Sequence, residues 1–209
     1  MLAAKHRKTN SSWEMDDAAR DRSRKGPTHL NPTRLLKAIA FAANKHRDQR
    51  RKDAGASPYI NHPIAVANVL AAEGDVFDEV TLIAAALHDT VEDTRTTFGE
   101  LEKHFGSEMA GLVREVTDDK SIEKMERKRL QIEHAPNLSI LAKQLKIADK
   151  ICNVRDVTDN PPADWPLQRR RDYLIWSEQV VNGCRGVNAK LDQAFDQAIN
   201  RAKSKLGTG

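Results

Sequence analysis

The run Leu82-Ile83-Ala84-Ala85-Ala86-Leu87 is apolar on nearly every face of a helix, and it ends abruptly in His88-Asp89-Thr90-Val91-Glu92-Asp93. A helix without a polar side belongs at the centre of a fold, surrounded by other elements. Its polar exit must then open from the interior. An ionised carboxylate such as Asp89 is costly to bury unless a cation or strong donors compensate it. Glu92 and Asp93 follow one helical turn after His88 and Asp89, so four polar groups crowd one end of a buried helix. Uncompensated, their carboxylates would repel one another.

The flanking segments read as further helices. Asn31 is a candidate N-cap and Pro32 suits the first helical position, predicting a helix to about Arg50 with Leu35, Leu36, Ile39, Ala42, Ala43 and His46 on its apolar side. Residues 52–58 break that pattern with Gly55 and Pro58. Pro63 opens a second helix to about Glu73, ended by Gly74, and Asp78 caps the central helix, predicted from Glu79 to about Glu92. Thr97 starts a short helix toward His104, Ser107 caps another, and Ser121 caps a charged helix to about His134. A long helix from about Ser139 to Val157 stops before Pro161-Pro162, and two more follow over residues 168–183 and 187–206. No window alternates like a strand, and aromatics make up only 5% of the chain. The reading is all-α: a compact multi-helix domain over 31–206, with 1–30 as a disordered basic tail and 207–209 as a flexible end.

Charge narrows the function classes. Of the net +4, the first thirty residues contribute +3, seven Lys and Arg against four acids, leaving +1 on the body. Without a basic stripe interleaved with aromatics, nucleic-acid binding is not expected as the main function. Cys152 and Cys184 lack metal-type spacing, which fits a reducing compartment. No run of about 18 apolar residues exists, and the first thirty residues lack a secretory apolar core. The expectation is a cytoplasmic protein without a membrane span. The stripe from Val187 to Ala202 suits a core helix or a partner helix, so oligomeric state stays open, with core the preferred reading.

Asp149 repeats the problem posed by Asp89, because it interrupts the apolar pattern of the long helix between Ala148 and Ile151. A shared metal ion would compensate both, with His88 and with His62, which Pro63 places at a helix mouth. Two imidazoles and two carboxylates suit manganese, ferrous iron or zinc, with open positions for water and phosphate. Each residue alone has an ordinary structural explanation. The combination is far more specific.

Tyr59-Ile60-Asn61-His62-Pro63, Ala86-Leu87-His88-Asp89-Thr90-Val91-Glu92-Asp93-Thr94, Glu115-Val116-Thr117-Asp118-Asp119-Lys120 and Lys146-Ile147-Ala148-Asp149-Lys150 together resemble the hydrolase domain of the RelA/SpoT homologue family, and in particular its stand-alone small alarmone hydrolases. The likeness runs from about Leu35 to about Ala202. It implies the all-helical fold of the HD superfamily and one Mn2+ ion held by His62, His88, Asp89 and Asp149. It implies hydrolysis of guanosine tetra- or pentaphosphate, with pyrophosphate released from the ribose 3′ position. Glu92 and Asp93 match the pair that activates the attacking water, and Arg51 and Lys52 the basic pair that holds the nucleotide. Asn153 matches a position near the ribose, while Lys124 and Tyr173 are candidates for the phosphate side and the base side. His6, His29, His46, His104 and His134 are read as structural or surface residues. Cys152 departs from the pattern, standing where relatives commonly carry an aromatic residue. Two other readings stay open: an HD-type phosphatase on another phosphorylated nucleotide such as NADPH, and a catalytically silent alarmone sensor. The basic tail could also tether an active hydrolase to nucleic acid or the ribosome.

Overall fold

The computed structural model describes residues 30–207, so the expectations for the N-terminal tail and for residues 208–209 lie outside the described part. Among the described residues there are helices and no strands; two isolated bridges, Arg50 to Pro58 and Asp53 to Pro162, tie down the loop after the first helix.

Helix α1 (Pro32–Lys45) starts as predicted, with the Asn31 side chain accepting from the Thr33 N–H. It stops at His46 rather than near Arg50. His46 is drawn inward by stacking on Tyr59 at 4.8 Å, and the Tyr59 N–H takes the Gln49 carbonyl, pulling the chain out of the helix. Its buried positions are Ala38, Ala42 and His46, whereas Leu36, expected in the core, is 64% exposed. The small alanines form the face that packs against the central helix.

Helix α2 (Asn61–Asn68) runs on into a π-helical turn, Val69–Glu73, before Gly74. Gly74 is there for close approach, with φ −94°: a Cβ would meet the Leu191 side chain and the Leu70 carbonyl, both at 2.8 Å. Helix α3 (Glu79–Leu87) is capped by the Asp78 side chain and is buried from Thr81 to Leu87. It ends at His88, short of the predicted Glu92. The His88 Nδ1 and Thr90 Oγ1 groups take the carbonyls of Ala85 (2.8 Å) and Leu87 (2.6 Å), so side chains compete with the helix ladder. The chain then resumes as α4 (Thr90–Asp93).

Thr97 caps α5 (Phe98–Phe105), as expected. Gly106, at φ +98°, makes the corner to α6 (Ser107–Val116) and is its cap in place of the predicted Ser107. Helix α7 (Lys124–His134) is capped by Glu123, because Ser121 is engaged with Asp119 in the preceding turn. Ala135–Asn137 form a 3-10 turn, followed by α8 (Ile140–Asp159), α9 (Leu167–Cys184) and α10 (Ala189–Leu206). Leu191, Ala194, Phe195, Ala198, Ile199 and Ala202 of α10 are buried, and α10 packs on α8, so that stripe serves the core. Gly207 is the left-handed cap of α10.

Helices α1, α2 and α6 pack on α3; α9 and α10 pack on α8; and α2, α3 and α6 meet α8. The mouth of α2, the polar end of α3 and the middle of α8 therefore face one seam. Leu82, Ile83, Leu87, Leu145, Ile147 and Ile151 are fully buried there, each worth about 2 kcal/mol in area removed from water. That packing gives the site rigid walls.

Candidate metal centre and nucleotide cleft

His62, in the first turn of α2, His88, at the end of α3, and Asp149, in the middle of α8, converge, each offering a ligand atom within 4.8 Å of the others. His62 Nε2 is 3.1 Å from Asp149 Oδ1, and His88 Nε2 is 3.9 Å from the same oxygen. Asp89 adjoins the cluster, its Oδ2 3.2 Å from His88 Nε2 and 3.8 Å from His62 Nε2. The four predicted ligands thus come together from three helices.

The electrostatics show what burial imposes on them. Burial works against a charged His88, but Asp89 and Asp149 outweigh it and raise its pKa to about 9. Burial pushes Asp89 and Asp149 up. His88 and His62 on Asp89, and Lys150 with His62 and His88 on Asp149, more than reverse this, so both carboxyls sit well below the ordinary range. Two carboxylates with so little solvent demand positive charge.

The residues fit a divalent cation. His88 donates Nδ1–H to the Ala85 carbonyl, which turns Nε2 inward without hydrogen-bond geometry to a partner. The carboxylates that draw a proton onto that ring would equally draw a cation, which would take the proton's place on Nε2. The Tyr59 hydroxyl donates to Asp89 Oδ2 at 2.7 Å, Lys150 Nζ to Asp149 Oδ2 at 2.9 Å, and Asn153 Nδ2 to Asp149 Oδ1 at 2.6 Å. Ligand oxygens oriented from behind are the usual support of a metal site.

Of the two acids on α4, Glu92 lies in the cavity of the cluster, while Asp93 faces the adjoining cleft. Burial, then Asp89 and Asp118, lift the Glu92 pKa to about 7. Its Oε2 accepts the Asp118 N–H at 3.2 Å. Asp93 is held differently, by Gln49 Nε2 on Oδ2 (3.2 Å) and by the Lys120 ammonium on Oδ1. A cavity of about 160 Å³ joins Glu92 to the four candidate ligands and to Lys146 and Lys150, both buried ammonium groups.

Beside it opens a second cavity of about 340 Å³, sharing Arg51, Tyr59 and Asn153 as walls and adding Lys52, Trp165 and Tyr173. Arg51 lies over the Tyr59 ring at 5.6 Å and pairs with Asp156 at 2.5 Å. Trp165, Tyr173 and Trp176 form a ladder of rings at 5.6 and 5.3 Å. Lys52 is exposed at the rim. Lys124 is exposed on the first turn of α7 and is not among the residues lining these two cavities. Cys152 is buried, its thiol pushed up to about 12 by desolvation, and it faces a neighbouring cavity that also reaches His62.

Sequence reasoning did not single out Gln49, Tyr59, Asp118, Lys120, Lys146, Lys150 and Trp165 individually. Tyr59, one turn before His62, and the two lysines flanking Asp149 in a buried helix carried a local signal. Lys120 stands in one of the motifs that carry the resemblance, but its partner Asp93 lies 27 positions away, so no local pattern gave its role.

The chain matches the model of the HD domain over residues 38–178. It is 54% identical over 170 residues to the guanosine-3′,5′-bis(diphosphate) 3′-pyrophosphohydrolase MESH1 of Xenopus tropicalis, covering 79% of this chain and 95% of that protein. Against the Homo sapiens MESH1 of the same description it is 53% identical, covering 77% and 90%. The chain belongs to the HD-domain family of RelA/SpoT homologues. A solved structure from this family, described as a metazoan orthologue of SpoT that hydrolyses ppGpp and plays a role in starvation responses, superimposes with a TM-score of 0.78 at 49% identity, covering 80% of this chain and 94% of that one. An HD domain implies a divalent metal, consistent with the His62, His88 and Asp149 cluster. Among the described residues no helix is long and apolar enough to cross a membrane.

Proposed function

We propose that this protein is a manganese-dependent hydrolase of guanosine 3′,5′-bis(diphosphate) and its pentaphosphate relative, releasing pyrophosphate from the ribose 3′ position. The observation that carries the reading is that the two cavities adjoin across common walls. A buried cluster of two imidazoles and two carboxylates shares Arg51, Tyr59 and Asn153 with a cationic, aromatic cleft of nucleotide dimensions. The relatives' descriptions name that substrate.

In this reading His62, His88, Asp89 and Asp149 hold one Mn2+, which when bound polarises the phosphoryl group and acidifies water. Trp165 and Tyr173 offer ring faces to the guanine, while the Arg51 guanidinium and Lys52 supply positive charge. Lys146 and Lys150 place buried ammonium groups beside the diphosphate. Asn153, besides orienting Asp149, reaches the wall shared by both cavities, where an amide can meet a ribose hydroxyl.

Glu92 accepts a proton from the attacking water. Its pKa near 7 suits a base working at neutral pH, and it has no cation as close as the one on Asp93. Asp93, held on both oxygens, aligns that water. Attack on the phosphorus that carries the ribose 3′ oxygen breaks that P–O bond; the water oxygen stays on the released pyrophosphate, and the departing 3′ oxygen takes up one proton, equivalent to the one Glu92 removed, to become a hydroxyl. Lys124, which lines neither cavity, is left as a candidate only for the outer end of the phosphate side.

The test is chromatography and phosphorus NMR of the reaction with Mn2+ and guanosine 3′,5′-bis(diphosphate). GDP with intact pyrophosphate supports the proposal; two separate phosphates, or no turnover, refutes it. Running NADPH in parallel separates a general phosphatase on phosphorylated riboses, which would show a comparable or higher kcat/KM on that substrate.

A further inference from the structure

His46 belongs to none of the groups described above, yet it is buried to within 2% and its Nε2 has no partner. Its Nδ1 lies 2.6 Å from Gln49 Oε1, and Gln49 Nε2 lies 3.2 Å from Asp93 Oδ2. The chemistry orders this chain without ambiguity. A carboxylate only accepts, so the amide nitrogen must face Asp93 and the amide oxygen must face His46. His46 must then donate from Nδ1, while its Nε2 is left without a partner. Leaving that ring nitrogen buried and unpaired costs free energy, and what accompanies it is a Gln49 amide held in one orientation. The same imidazole stacks on Tyr59 at 4.8 Å and 28°, and the Tyr59 hydroxyl donates to Asp89 Oδ2 at 2.7 Å.

We infer that His46 and Gln49 are a positioning pair for Asp93: the imidazole locks the Gln49 amide, and the amide fixes the carboxylate oxygen not held by Lys120. Through Tyr59 the same ring braces Asp89, so one buried histidine supports a carboxylate of each kind. The kinetic part of this inference rests on the hydrolase reading above; the hydrogen-bond part does not. His46 lines neither cavity, whereas Gln49 lines the nucleotide cleft, so removing the imidazole lowers turnover and leaves binding largely intact.

Two measurements test it. Long-range nitrogen–proton correlation spectra of metal-free protein labelled in histidine, with His46 assigned by its loss in His46→Asn, show the Nδ1–H tautomer; an Nε2–H tautomer overturns the inference. In steady-state kinetics with Mn2+, Gln49→Leu and His46→Phe, which keeps the stacked ring but loses the donor, each lower kcat by about 10- to 100-fold, and in His46→Phe KM stays within about 3-fold. The double variant is no worse than Gln49→Leu within about 2-fold, because the two residues act in series. His46→Asn, which restores a donor at the Nδ1 position, recovers most of the turnover lost in His46→Phe. An unchanged kcat in Gln49→Leu, or losses that multiply in the double variant, overturns the pair. A wild-type protein that releases no pyrophosphate overturns the hydrolase reading instead, and the tautomer spectrum then decides the His46, Gln49 and Asp93 linkage by itself.

Discussion

Replacing Glu92 with glutamine should make the metal-free protein more stable at alkaline pH while abolishing turnover. The Glu92 carboxyl, only 22% exposed, is raised from 4.5 to about 7 by burial and by Asp89 and Asp118. The folded state therefore holds its proton more tightly than the unfolded chain. Its contribution to stability is complete below pH 4.5, erodes as pH rises and is gone above about 7. For those two pKa values the loss between pH 5 and pH 8 is about 2.5 kcal/mol, reduced to about 1.5–2.5 by the solvent that still reaches the group. Glutamine does not titrate, so Glu92→Gln should lack this decline. The assay is urea unfolding of both proteins at pH 5 and pH 8 with the cation chelated, comparing the pH dependence of the two free energies. Curves that run parallel within about 0.5 kcal/mol would refute the burial argument. Turnover of the variant should fall by about 100- to 10,000-fold, the range expected for loss of a positioned base.

Three further outcomes follow from the same geometry. Asp149→Ala should lose the bound Mn2+ by elemental analysis and more than about 100-fold of turnover, since Asp149 Oδ1 is the oxygen nearest His62 Nε2 and lies within 3.9 Å of His88 Nε2. Tyr59→Phe removes the hydroxyl behind Asp89 and should weaken Mn2+ affinity by about 10-fold in a metal titration, with the fold unchanged by circular dichroism. Arg51→Met breaks the pair with Asp156 and removes a wall common to both cavities; KM should rise by at least about 10-fold, and a change confined to kcat would count against its placement at the nucleotide.

Much of the architecture was legible locally. Asn31, Asp78 and Thr97 cap helices where the residue pattern puts them, because a cap is a contact across two or three residues, and the long helix begins beside Ser139 as read. The failures share a cause. Helix α1 ends early because of Tyr59, α3 breaks because His88 and Thr90 take its carbonyls, and α7 is capped by Glu123 because Ser121 is occupied by Asp119. In each case two local options of similar energy were settled by a neighbour. Leu36 is instructive in the same way: its spacing is as good as that of Ala38, but small side chains occupy the contact face toward α3, and the leucine is left outside.

The residue pattern alone determined that this chain is helical, that its most apolar helix is central, and that Asp89 and Asp149 would be too costly to bury without a positive partner. Those conclusions depend on side-chain periodicity and on the solvation of charge, which are properties of residues and their immediate neighbours. Only the tertiary structure brought His62 to within 3.1 Å of an aspartate 87 positions away, tied Lys120 to Asp93, and turned the Gln49 amide toward a carboxylate. It also decided that Glu92 keeps its proton to about pH 7 while Asp149, the more deeply buried of the two, gives its proton up well below the usual range. The two acids differ in which charges the folded chain sets beside them, and that distribution exists only once distant helices have packed.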